Sequence, residues 1–143
     1  MKVGVISDIH GNRVALREVL AEMPEVDHLV CAGDVVGYNP WHADCVDAMR
    51  GEPEALPEGP WPTVPIPTVM GNHDRAVAGE TPFTFNGMAQ AGVEHAKGQL
   101  DDEQLDWLAG LHDELLLYDD RVKIVHGHPE DPDRYTYPEE VGP

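Results

Sequence analysis

Four short apolar runs each stop at the same kind of residue, and this repetition constrains the chain more than any other feature. Residues 2–6 are nearly all apolar and give way to Ser7-Asp8-Ile9-His10-Gly11-Asn12. A second run closes at Cys31-Ala32-Gly33-Asp34. A third, Thr68-Val69-Met70, closes at Gly71-Asn72-His73-Asp74, and a fourth, Ile124-Val125, at His126-Gly127-His128. Short continuous apolar runs suit a parallel sheet covered on both faces, and in open α/β sheets ligands bind beyond the strand ends. Asp8 and His10, two residues apart on an extended turn, can project the same way and share one cation. One such pair is ordinarily a solvated turn; four strand ends delivering Asp, Asn or His, mostly beside a glycine, describe a common rim.

Between these ends the pattern predicts helices. Asn12 can cap a helix reaching about residue 23, with Leu16, Val19, Leu20 and Met23 on one face and Pro24 just beyond. Residues 28–32 form the second strand, opened by His28 as an edge residue. Residues 35–40 read as a loop by their Gly and Asn-Pro signals, and a helix over 42–50 turns Cys45, Val46 and Met49 inward. Residues 51–67 carry six of the thirteen prolines, which excludes helix and central strand and predicts an extended surface excursion with Trp61 packing back. A helix over 86–100 faces Ala89, Val93, Ala96 and Leu100 inward. Asp101-Asp102-Glu103-Gln104 resembles a capping box that opens a further helix through the core residues Trp107 and Leu108. Residues 115–118 and 121–125 read as strands turned at Asp119-Asp120, and the chain beyond Pro129 as loop. The whole, 143 residues, fits one domain.

Charge narrows the function. Twenty-seven acidic residues face nine basic ones, a net charge of −18, and the acids are spread along the chain. That balance repels polyanions, so it argues against nucleic-acid binding. It fits a salt-rich cytoplasm in which screening removes the self-repulsion. Cys31 and Cys45 are too few for a disulfide framework, and Cys31 inside its apolar run reads as a buried thiol. No signal-like or membrane-spanning stretch occurs, so the expectation is a cytoplasmic protein with no membrane partner.

The rim residues Asp8, His10, Asp34, Asn72 and His126 offer mixed oxygen and nitrogen donors. These suit Mn, Fe, Zn or Ni; Mg and Ca prefer oxygen alone. A carboxylate such as Asp34 can bridge two cations, and two cations ~3.5–4 Å apart form a clamp for in-line attack on phosphorus. Asn72 ligates without adding negative charge. His73, beside it and free of metal, is the candidate general acid for the leaving oxygen.

Asp8-x-His10, Gly33-Asp34, Gly71-Asn72-His73-Asp74 and His126-Gly127 resemble the successive motifs of the calcineurin-like metallophosphoesterases. The longer stretches Ser7–Asn12, Gly33–Tyr38, Gly71–Val77 and His126–Pro132 are similar to the small prokaryotic phosphodiesterase-like branch, haloarchaeal members in particular. The resemblance implies a four-layer αββα sandwich and a dinuclear centre, with manganese the first expectation. Asp8, His10 and Asp34 would hold one ion, and Asp34, Asn72 and His126 the other. The implied reaction is hydrolysis of small phosphomono- or phosphodiesters.

The chain also departs from that pattern. The family closes with Gly-His-x-His on a later strand, and here the sequence stops at Pro143 without it. The expectation is therefore a shortened member lacking the C-terminal strands, with a long Pro-rich insertion at 51–67. Such a chain would tend to self-associate through the incomplete sheet. The alternative function is a catalytically impaired remnant that binds metal or a partner. His128 is either a variable position of the fourth motif or a substitute ligand. Asp74 is either an orienter of His73 or a solvated acid, and Arg75 either a phosphate contact or a partner for the acidic surface. His42, His95 and His112 have no motif context and read as surface residues.

Overall fold

The computed structural model describes residues 1–79, 86–131, 134 and 136–140. Pro132, the end of the fourth motif, lies outside them. Strand β1 (Val3–Ile6) pairs in parallel with β2 (His28–Cys31), Val3 opposite His28 and Ile6 opposite Cys31. Helix α1 (Arg13–Glu22) connects them, and the Asn12 side chain caps it by accepting the N–H of Ala15 at 3.0 Å. Helix α2 (His42–Arg50) ends at Gly51, whose φ of 71° is the left-handed conformation that closes a helix C-terminus.

The third predicted strand is reduced to single parallel bridges, Thr68 to Cys31 and Val69 to His112. Those bridges carry the pairing from β2 toward the hairpin β3 (Glu114–Leu117) and β4 (Val122–Val125), whose register sets Glu114 opposite Val125. Its turn holds Tyr118, Asp119 and Asp120 at positive φ, a conformation Asp tolerates better than most side chains. Helices α3 (Asn72–Val77), α4 (Gly87–Gln99) and α5 (Asp102–Ala109) lie between the bridges and the hairpin in sequence. Asp101 caps α5 with the expected reciprocal bonds to Gln104.

The core gathers Leu16, Cys31, Val35, Val36, Cys45, Val46, Met49, Val93, Ala96 and Leu108. Burial pushes the Cys31 thiol up to about 12, as a structural thiol requires. The Pro-rich segment is not wholly extended: Pro53–Ala55 forms one 3-10 turn. Trp61 folds back as expected, buried, with its Nε1–H donated to the Pro57 carbonyl at 2.6 Å.

One expectation fails on the β1 side. Val5 is 59% exposed and Val19 is 47% exposed, so neither the second face of β1 nor the full apolar stripe of α1 is covered. Burial of the stripe stops at Leu16, with Leu20 and Met23 half-buried. The fold is a mixed α/β arrangement with small sheets, and the exit of every strand that carries a motif falls on one rim.

Candidate metal centre

Asp34 is the hub. Its carboxylate is almost wholly buried, and its Oδ1 accepts the backbone N–H of His73 at 2.9 Å. That bond leaves Oδ2 facing two imidazoles, with His10 Nε2 at 3.7 Å and His126 Nε2 at 3.4 Å. Each ring is held from behind: His10 Nδ1 lies 3.2 Å from the Val36 carbonyl, and His126 Nδ1 lies 2.7 Å from that of Ala32. An imidazole donating Nδ1–H to a carbonyl leaves Nε2 as its ligating atom once deprotonated, and both rings turn that atom toward one carboxylate.

The other motif residues complete the cluster. Asp8 Oδ1 is 3.4 Å from His10 Nε2, and Asn72 Oδ1 is 3.2 Å from His126 Nε2. Ligand atoms of Asp8, Asp34 and His126 lie within 4.8 Å of one another, as do those of His10, Asp34 and His73. All six residues singled out in the sequence are thus brought together, and Asp34 belongs to both groups. His73 stands closer to the ligand atoms than its expected metal-free position implies, its ring centroid 4.7 Å from that of His10.

The donor set passes a chemical test for divalent metal. Imidazole nitrogens, carboxylate oxygens and an amide oxygen converge, with the second atoms of His10, His126 and Asp34 held by backbone groups and that of Asp8 by the Ser7 hydroxyl, the orientation that metal-ligating side chains need. Electrostatics agree. Contact with His10 outweighs burial and holds the Asp8 carboxyl down to about 2. Burial alone would lower His126, but Asp34 reverses this and raises it to about 9. His10 is likewise raised, burial being overcome by Asp8 and Asp34, whereas burial lowers His73. Without a cation, protons on these imidazoles balance the carboxylates.

Backbone strain is concentrated here. Asp8, His10, Asp34 and Tyr38 have φ of 55°, 49°, 57° and 48°, each costing ~1–3 kcal/mol unless the surroundings enforce it. At Asp34 the enforcing group is Asp74. Fully buried, it is not a solvated acid: its carboxylate accepts the N–H groups of Asp34, Val35, Val36 and Gly71 at 2.8–3.2 Å. Gly71 is required because a Cβ there would stand 2.0 Å from Asp34 Oδ1.

Three more assignments resolve. Arg75 pairs with Asp113, the acidic-surface role. His128 accepts the N–H of Glu130 on Nδ1 and meets Arg134 with Nε2, and it joins neither ligand group among the described residues. His42 is not a surface residue: it is fully buried, and its Nδ1 accepts the Gly37 N–H at 3.2 Å. Tyr38, which the sequence placed in a motif without a role, packs its ring 5.0 Å from both His10 and His73.

Comparison with known proteins agrees with this geometry. The family model described as calcineurin-like phosphoesterase matches residues 1–142. An uncharacterised protein of Methanocaldococcus jannaschii is 28% identical over 94% of this chain and 53% of its own length. A metallophosphoesterase from Sphaerobacter thermophilus has a TM-score of 0.74 and 34% identity, covering 96% of this chain and 51% of that one. A hypothetical protein from Pyrococcus horikoshii shares the fold, with a TM-score of 0.71 at 19% identity over 98% of this chain and 60% of that one. The chain therefore spans about half the length of the relatives it matches.

Proposed function

The chain belongs to the calcineurin-like phosphoesterases, and from that premise we propose that its rim holds two divalent transition-metal ions and hydrolyses small phosphomono- or phosphodiesters. The observation that carries the reading is the Asp34 carboxylate, faced through one oxygen by Nε2 atoms of both His10 and His126. Asp8, His10 and Asp34 would hold one ion, Asp34, Asn72 and His126 the other, and manganese would suit the mixed donors.

Such a pair supplies Lewis-acid neutralisation of the phosphoryl oxygens and a nucleophile at neutral pH. The protein does the rest. Asp34, anchored on the His73 N–H, fixes the separation of the two halves of the site. Asn72 contributes an oxygen without charge, which limits repulsion of an anionic substrate by Asp8 and Asp34. His73 would give a proton to the leaving oxygen, the nearby Asp34 carboxylate favouring its protonated form against the lowering by burial, with its ring set beside His10. Residues 1–143 form part of one metallophosphoesterase domain, with about 51–67 as a Pro-rich surface insertion.

No helix among the described residues is long and apolar enough to cross a membrane, and we place the protein in a salt-rich cytoplasm on the strength of its charge. Among the described residues β1 pairs only with β2, and that edge, with the exposed Val5 of β1 and Val19 of α1, favours association of this polypeptide with itself. The test of function is turnover of bis(p-nitrophenyl) phosphate by purified protein with added manganese. Hydrolysis abolished by a chelator and by His126→Ala supports the reading. Stoichiometric metal binding with no turnover of mono- or diesters would make the chain a metal-binding remnant.

A further inference from the structure

The loop between β2 and α2 is built around one exposed aromatic ring. Tyr38 is 44% exposed although its backbone sits at φ 48°, a conformation that costs free energy for a bulky residue. The loop is nevertheless clamped on every side. Asn39 donates both its backbone N–H and its Nδ2 to the His10 carbonyl, at 3.0 and 3.1 Å. Gly37 donates its N–H to His42, and a Cβ at Gly37 would stand 2.6 Å from His73 Nδ1. On the far side, a Cβ at Gly92 of α4 would stand 2.4 Å from the Tyr38 nitrogen. Strain at a surface residue with this much support indicates that the ring's position has a use.

That position is the divide between two cavities. One, about 330 Å³, includes Asp8 and His10 among its walls with Tyr38. The other, about 410 Å³, is lined by Tyr38, Pro40, Met88, Ala91, Gly92 and His95. Its wall is mainly apolar, and Met88 is 78% exposed. The Tyr38 ring meets His10 edge-on at 85° and His73 at 37°. The Tyr38 ring is therefore the wall shared by the cavity that reaches Asp8 and His10 and by the Met88 groove.

Resting on the phosphoesterase reading above, we infer that Tyr38 and the adjoining Met88 groove select phosphoesters whose leaving group is planar and aromatic. A flat ring gains from stacking on Tyr38 and from the polarisable Met88 thioether, whereas a short alkyl group reaches neither. Tyr38 is thus a specificity-determining residue, separate from the ligands that hold metal.

The test is calorimetric binding of phenylphosphonate and methylphosphonate, which are not hydrolysed, to the manganese-loaded 143-residue chain. The parent should bind phenylphosphonate at least about fivefold more tightly, since stacking of a flat ring on an aromatic side chain is worth that much at its weakest. Tyr38→Asn, which tolerates the positive φ, should lose most of that preference by weakening phenylphosphonate alone, and Tyr38→Phe should keep it. Equal affinities in the parent, or an undiminished preference in Tyr38→Asn, would overturn the role of Tyr38 while leaving the phosphoesterase reading standing. Binding of neither phosphonate would overturn both.

Discussion

The backbone N–H of Asp34 is donated to the carboxylate of Asp74 at 2.8 Å, so the third motif holds the second in its strained turn. The two residues are 40 positions apart, and the bond is one of four that close on the same buried carboxylate. Asp34, in return, accepts the N–H of His73. Each loop is therefore the scaffold of the other, and these bonds hold the Asp34 turn in place.

Asp74→Ala should accordingly be among the most damaging single changes. It removes the shared acceptor and strands four buried N–H donors, at ~1–3 kcal/mol for each group left unpaired. Partial relaxation should leave a net loss of ~3–5 kcal/mol, read as a lower denaturant midpoint. A midpoint within error of the parent would mean that the loops hold themselves.

The same bonds explain what could be read from the sequence. Asp8, His10, Asp34, Asn72, His73 and His126 were legible because each follows an apolar run, and strand ends in such a sheet must share a rim. The role of Asp74 was not, because nothing in its neighbourhood points 40 residues back. His42 was misjudged for a related reason: a single histidine at a helix start has no period, and its burial depends on the Gly37 loop folding over it. Val19 was misplaced because helical spacing shows which residues share a face, not whether anything covers it.

Burial makes His42 a source of pH dependence. Its ring is pushed down to about 4 from an ordinary 6.5, burial being the main cause and nearby His95 adding to it. Between those values the unfolded chain binds a proton that the folded chain refuses. Stability from this group is complete above pH 6.5 and falls as pH drops toward 4, by at most ~3 kcal/mol. The difference in unfolding free energy between the parent and His42→Gln, followed from pH 7 to 4.5, should shrink across that window. A constant difference would show that His42 does not titrate on unfolding.

Salt should act in the opposite direction to acid. With a net charge of −18 the folded chain repels itself, and molar KCl reduces the Debye length to ~3 Å. A gain of ~2 kcal/mol would raise the melting temperature by roughly 8 °C for a domain of this length. An unchanged melting temperature between low salt and molar KCl would remove the salt-rich cytoplasm from the account.

The central claim is that Asp34 bridges two ions, and metal content by mass spectrometry after manganese loading and desalting tests it most directly. The parent should carry two equivalents per chain. Asp8→Asn should lose chiefly one, and Asp34→Asn more than any other single ligand change, approaching zero. Asp34→Asn protein holding as much metal as the parent would contradict the account.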